Sequence, residues 1–256
     1  MRVLKIFILF FINATVQGQS SLIPIRSFKI YDVPKSEDTL YKYNSDPNNW
    51  YVFFDGGEIV VGNKSDYFAK QPLPFSTLPE PGEEKIFAGR RSVIKVDDGF
   101  LVGFDRGEFG GLLYWFSKDG KAKYKIADCS IVQFLMWNNK IYGIEGLAHM
   151  FSSRGSILEI DKLVGKWVTN DYLKLPTAPN ACRLDSKNNL IVVTSSSLLS
   201  IDSNKIIKII IKKGIWDPYL YPRSMVIQND IVFIGMRKGV FKFNLLTNQE
   251  QWLLPF

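Results

Sequence analysis

Asp230-Ile-Val-Phe-Ile-Gly-Met236 has four relatives upstream in the same chain: Gly57-Glu-Ile-Val-Val-Gly-Asn63, Asp98-Gly-Phe-Leu-Val-Gly-Phe104, Asn139-Lys-Ile-Tyr-Gly-Ile144 and Asn189-Leu-Ile-Val-Val-Thr-Ser195. Each is a turn-forming residue, then a run of β-branched and aromatic side chains, then a small residue. Taking the small residue as a marker gives Gly62, Gly103, Gly143, Thr194 and Gly235, with separations of 41, 40, 51 and 41 residues. Apolar runs bounded by Gly, Asn and Asp read as short strands.

The residues after each marker repeat as well. Segments 112–126, 156–168, 198–210 and 240–254 each read as strand, polar turn, strand, with inside/outside alternation as in Val240-Phe-Lys-Phe243. The unit is therefore a four-stranded antiparallel meander of about 40 residues, the period of a β-propeller blade. A β-sandwich does not repeat at that interval. Five markers predict an all-β, five-bladed β-propeller, with six blades as the alternative. Segment 22–45 holds two more strand candidates, Ser27–Val33 and Thr39–Tyr43, which either close the ring on a terminal blade or belong to a sixth. No helix of useful length is expected.

Over Asn48–Phe256 the repeats resemble the blades of bacterial β-propellers, in the pattern strand, Gly-x-x-x-Gly-Leu-x-x-x-Asp, turn, strand. That resemblance implies a fold and no particular activity. The Gly-His and Trp-Asp signatures of WD40 blades are absent, because Trp216-Asp217 falls in a linker.

The 256-residue chain is 46% hydrophobic and 22% charged, which is globular composition. Its first residues have the form of a secretory signal peptide: Arg2 and Lys5, an apolar run Ile6–Ile12, then Val16 and Gly18 placed for cleavage after Gly18. The apolar run is too short to span a bilayer, and no later run is long and apolar enough. Residues 1–18 are read as the signal and 19–256 as a single propeller domain, secreted or periplasmic, with no membrane span after cleavage. The net charge of +7 is spread along the chain rather than striped, so no nucleic-acid partner is expected. Cys129 and Cys182 are either a disulfide pair or two isolated thiols. One histidine, His149, gives no metal-ligand spacing, so neither metal nor cofactor is expected.

Strand order sorts the loops. In a meander, the turn between strands two and three shares a face with the connection to the next blade. The opposite face receives the tight Gly/Asn/Asp turns. The first face receives the long pieces: Pro79–Arg91, Arg106–Gly111, Glu145–Gly155, Leu175–Cys182 and Gly214–Arg223. Functional residues concentrate on long loops carried by a rigid scaffold. Arg90, Arg91, Arg106, Arg154, Arg223 and Arg237 all sort to this face, with Arg183 at the start of an inner strand beside it. Guanidinium forks suit carboxylate, phosphate or sulfate. The competing reading pairs these arginines with Asp105, Glu108, Glu145 and Asp217 to brace the loops. Trp216, Tyr219 and Tyr221 share the face and suit a sugar ring or peptide, or else form a satellite core under the linker.

Glu145 and His149 lie in the longest excursion, with Gly146–Met150 drawn as a short helical turn. They are the candidate acid–base pair. Ser152 or Ser153 would complete a triad, but no nucleophile-elbow pattern supports one. Gly107, Gly110 and Gly111 lead into a strand rather than a helix and so are not a phosphate cradle. The sequence therefore points to a binding protein for an anionic small molecule, saccharide, peptide or protein partner. The ligand-binding candidates are Arg90, Arg91, Arg106, Glu108, Arg154, Arg183, Trp216, Tyr219, Arg223 and Arg237. The alternative is a hydrolase or lyase acting on a saccharide in the channel through Glu145 and His149.

Overall fold

A computed structural model describes residues 22–77, 87–150 and 152–255. The signal-peptide reading of residues 1–18 and the segment 78–86 of the first long loop lie outside the described residues. The chain forms five antiparallel sheets, each a blade of one ring. Blade 2 is Arg90–Val96, Gly99–Asp105, Gly111–Ser117 and Lys123–Ala127. Blade 3 is Ile131–Trp137, Lys140–His149, Ser152–Leu163 and Lys166–Leu175. Blade 4 is Pro179–Leu184, Leu190–Thr194, Leu198–Ile201 and Ile207–Ile211. Blade 5 is Ser224–Gln228, Ile231–Gly235, Val240–Asn244 and Glu250–Leu254. Blade 1 has only Tyr51–Asp55 and Glu58–Gly62 in chain order, with Ile23–Pro24 as its third strand. The first strand of each blade lies innermost, and these strands touch between blades 2 and 3, 3 and 4, 4 and 5, and 5 and 1.

The ring closes through the start of the described chain. Ile23–Pro24 pairs with blade 1, and Lys29–Tyr31 adds a fifth strand to the outer edge of blade 5. The strand expected within Ser27–Val33 is thus present, and it closes the ring rather than founding a sixth blade.

The marker glycines record how closely the blades approach. A Cβ on Gly103 would stand 2.6 Å from Ile131 Cβ of blade 3, and one on Gly235 would stand 2.6 Å from the Trp50 carbonyl oxygen beside blade 1. On the opposite face the tight turns require left-handed backbone. Asn138, Asn139, Asn188, Asn229 and Asp230 all have φ between 49° and 62°, which short polar side chains tolerate. Apolar side chains fill the seams between blades: Ile191, Val193 and Leu198 of blade 4 pack with Met225, Ile234 and Phe241 of blade 5.

Three local expectations are corrected. Thr39–Tyr43 is helical, within α1 (Glu37–Asn44), and α2 (Lys64–Ala69) follows blade 1, so short helices do occur. The apolar/polar alternation of Thr-Leu-Tyr-Lys-Tyr imitates a strand. Helix wins because Ser36 Oγ accepts the Thr39 N–H, Glu37 and Asp38 occupy the first turn, and Leu40 and Tyr43 share one face against blade 5. Glu145–Gly155 is neither a loop nor a helical turn. It is the end of a long hairpin, in register from Glu145–Ser156 to His149–Ser152. Arg183 lies near the far end of the inner strand Pro179–Leu184, not at its start, and donates to the Cys182 carbonyl oxygen.

A brace on the turn face gives the fold an acid dependence. Asp98 of blade 2 accepts the indole N–H groups of Trp115 and, across the seam, Trp167, and it pairs with Lys162 of blade 3 at 2.8 Å. Burial works against the anion, but hydrogen bonds from Lys162, Trp115 and Trp167 outweigh it and hold the carboxyl down at about 2. Its pKa is below the unfolded value of about 3.9. Its stabilisation is therefore complete above about pH 4 and is lost as pH falls towards 2. Asp98→Asn should lower the melting temperature at pH 6, and the gap to wild type should close by pH 2; thermal melts across that range check it.

Candidate functional site

The inner strands begin at the long-loop face, and their first residues ring the mouth of the central channel. Tyr51, Arg90 and Asn180 stand at or next to these starts, and Arg223 directly precedes one. Together with Asn49, the Gly146–Met150 end of the blade 3 hairpin and the loop before blade 5, they line a cavity of about 800 Å³. That is within the usual size of a small-molecule site.

Strand alternation separates the two neighbouring arginines of blade 2. Arg90 lines the cavity and pairs with Asp105 at 3.1 Å. Arg91 instead donates to the Gln71 carbonyl oxygen at 3.4 Å. Arg223 lines the cavity but, among the described residues, has neither a carboxylate at ion-pair distance nor a side-chain hydrogen bond. Arg237 stands behind it, donating to the Asn44 carbonyl oxygen at 2.6 Å. The Tyr221 ring holds both, 4.8 Å from the Arg237 guanidinium and 5.8 Å from that of Arg223. Backbone bonds fix this arrangement: Arg223 N–H donates to the Gly235 oxygen, and Arg237 N–H donates to the Leu220 oxygen.

The electrostatics follow from burial and crowding. Burial, above all, pulls the Arg223 guanidinium below its ordinary pKa; the Tyr51 phenol opposes this, while Arg90 and Arg237 add like-charge repulsion. Burial raises the Tyr51 phenol, and Arg223 and Arg90 pull it back. The Nε atoms of Arg90, Arg223 and Arg237 are enclosed without an acceptor. Enclosed, unpaired donors cost stability. Arg223, the member without a side-chain partner, is therefore a local strain on the fold rather than a brace.

The other candidates sit elsewhere. Arg106 opens the 3₁₀ turn Gly107–Phe109, outside the cavity lining. Arg154 is exposed and reaches Glu145 at 3.6 Å. Glu145 is buried and accepts from Ser156 Oγ at 2.5 Å. His149 Nε2 meets Glu108 at 2.9 Å at the cavity rim, tying the blade 2 turn to the blade 3 hairpin. Glu145 and His149 are four residues apart on one extended strand, about 13 Å, and each has its own partner. The structure does not bring them together as an acid–base pair. Trp216 borders the cavity but is a core residue, packed edge-to-face against Phe241 and donating to the Thr194 oxygen. Tyr219 donates to Glu37 and docks α1. Cys129 and Cys182 are free thiols, and burial raises each to about 12, which leaves them protonated. Among the described residues there is no acid, histidine and cysteine grouping that would hold a metal, and no helix long and apolar enough to cross a membrane.

Tyr51 and Asn49 are cavity residues outside the long loops, because they belong to a strand start and a short linker, whereas Asn180 lies within the segment Leu175–Cys182 but is not among the sequence candidates. The repeat register contains the signal. Tyr51 and Pro179 are the strand partners of the markers Gly62 and Thr194, so these two lining residues can be read opposite their markers.

No family model and no curated protein matches the chain. Solved structures of similar fold include a protein of unknown function from Bacteroides caccae, at 15% identity over 80% of this chain and 68% of that one, with a TM-score of 0.42. A streptogramin B lyase matches at 12% identity over 90% and 73%, with a TM-score of 0.45. The extracellular domain of a putative hybrid two-component system from B. thetaiotaomicron matches at 14% identity over 90% and 30%, with a TM-score of 0.46. The likeness is one of fold, and no ligand follows from it.

Proposed function

We propose that this is an exported binding protein that takes an anionic ligand at the mouth of its channel, with Arg223 and Arg90 as the contacting cations and Arg237 and Tyr221 as their support. One observation carries the reading: Arg223 is set among two other guanidiniums with no acid of its own. An arginine that only braces a loop spends its charge on a carboxylate, as the exposed Arg154 does on Glu145; Arg90 pairs with Asp105 and also lines the cavity. A ligand anion would relieve the repulsion and supply charge-assisted hydrogen bonds. Export rests on the Arg2–Gly18 pattern, and N-terminal sequencing of the exported chain, starting at Gln19, checks it.

Calorimetric titration with sulfate, phosphate and simple carboxylates tests the site. Wild type should bind at a stoichiometry of about one, more weakly as neutral salt rises. Arg106→Ala and Arg154→Ala, whose guanidiniums lie outside the cavity lining, should titrate like wild type. Absence of saturable binding across the panel would remove the proposal.

A further inference from the structure

We infer that the ligand is a monoanion with an apolar body: a carboxylate held between Arg223 and Arg90, carrying a hydrocarbon part that lies along the blade 3 hairpin. This rests on the anion reading above and narrows it to a chemical class.

Charge balance sets the head group. The cavity lining holds Lys64, Arg90 and Arg223 against Asp105 and Asp217, one cation in excess. A single negative charge neutralises that excess, whereas a polyanion would meet the two aspartates.

The walls set the body. Val132, Leu147, Met150, Pro179, Pro218 and Pro222 all border the cavity. Several polar groups among them are committed to the protein. Ser153 Oγ accepts the Ala178 N–H at 2.9 Å and shares a hydrogen bond with Ser195 Oγ at 3.1 Å. The amide nitrogens of Asn49 and Asn180 donate to the carbonyl oxygens of Pro47 and Pro222, and both amide oxygens are enclosed. A saccharide would draw donors and acceptors from this wall. A hydrocarbon needs none, and gains from covering apolar surface.

The rim extends the same chemistry. Phe109 is 75% exposed and Met150 is 86% exposed. They cap the two elements that His149 and Glu108 tie together. Large apolar side chains held in water beside a basic cavity offer a landing surface for the far end of an amphipathic ligand.

The test is a titration series of acetate, butyrate, hexanoate and octanoate, each below its aggregation concentration, with sulfate and glucuronate alongside. Affinity should climb about fourfold for each methylene group buried, and glucuronate should bind no better than acetate. Leu147→Asn should flatten the dependence on chain length, with thermal melts confirming that the variant is folded. Equal binding of acetate and octanoate while sulfate still binds would overturn the hydrocarbon inference and leave the anion site standing. Glucuronate tighter than octanoate would overturn it in favour of an acidic saccharide. No binding of sulfate or of any carboxylate would remove the anion site and this inference with it.

Discussion

Arg223→Met should raise the melting temperature in anion-poor buffer and abolish anion binding. The substitution removes a guanidinium that burial and its neighbours Arg90 and Arg237 both disfavour. It also removes an enclosed Nε–H that has no acceptor. Methionine keeps most of the apolar stem and adapts to an irregular space. Relief of an unpaired buried donor and of like-charge repulsion, less the lost contact with Tyr221, amounts to about 1–2 kcal/mol. In a chain of this size that is a rise of about 2–6 °C. Addition of a binding anion should reverse the order, because wild type gains RT ln(1 + [L]/Kd) and the variant does not. A residue whose removal stabilises the fold while abolishing binding is held there for its ligand. A fall in melting temperature of similar size would assign Arg223 to structure instead.

Gly235→Val should be the most damaging single change to the ring. A Cβ at this position lies 2.6 Å from the Trp50 carbonyl oxygen, 2.9 Å from the Val52 nitrogen and 3.0 Å from Ser224 Oγ. Those neighbours are mostly backbone and are themselves fixed. Trp50 N–H donates to the Met236 oxygen, Val52 N–H donates to Ser224 Oγ at 2.7 Å, and Trp50 Nε1 donates to the Lys238 oxygen. A side chain can enter only by opening the seam between blades 5 and 1, which breaks those bonds and unpacks Val52, Val226 and Phe233. The combined overpacking and lost hydrogen bonds should exceed about 3 kcal/mol. Gly107→Ala is the control. Its φ is +63° with nothing within 4 Å of a Cβ, so only the backbone penalty of about 1–2 kcal/mol applies. Urea unfolding of the two variants separates these costs. A Gly235→Val protein within 1 kcal/mol of wild type would show that this seam does not govern closure.

The parts of the fold that were legible in sequence are those that repeat for a physical reason. Gly103 and Gly235 stand where the inner strand of the neighbouring blade passes close by, and the Asn and Asp turns recur because the hairpins need left-handed backbone. What could not be read depended on partners distant in the chain. Thr39–Tyr43 looks like a strand until its cap at Ser36 and its landing place on blade 5 are known. The 51-residue spacing revealed extra chain in blade 3 but not that both halves continue the strands outward as one hairpin.

The site was half legible for the same reason. Sorting the loops put six arginines on one face. It could not tell Arg90 from Arg91, since register alone decides which of two adjacent residues faces the channel. Nor could it show that Glu145 and His149 would each find a private partner. Arg90 and Arg223 remain as the two arginines that line the cavity.

The central claim is that this pair holds an anion, and locating one tests it most directly. Crystals soaked in bromide, with data collected at the bromine absorption edge, should give an anomalous peak within hydrogen-bond distance of the Arg223 and Arg90 guanidiniums. A carboxylate such as hexanoate should erase that peak. Peaks confined to exposed lysines, with none between Arg223 and Arg90, would contradict the claim.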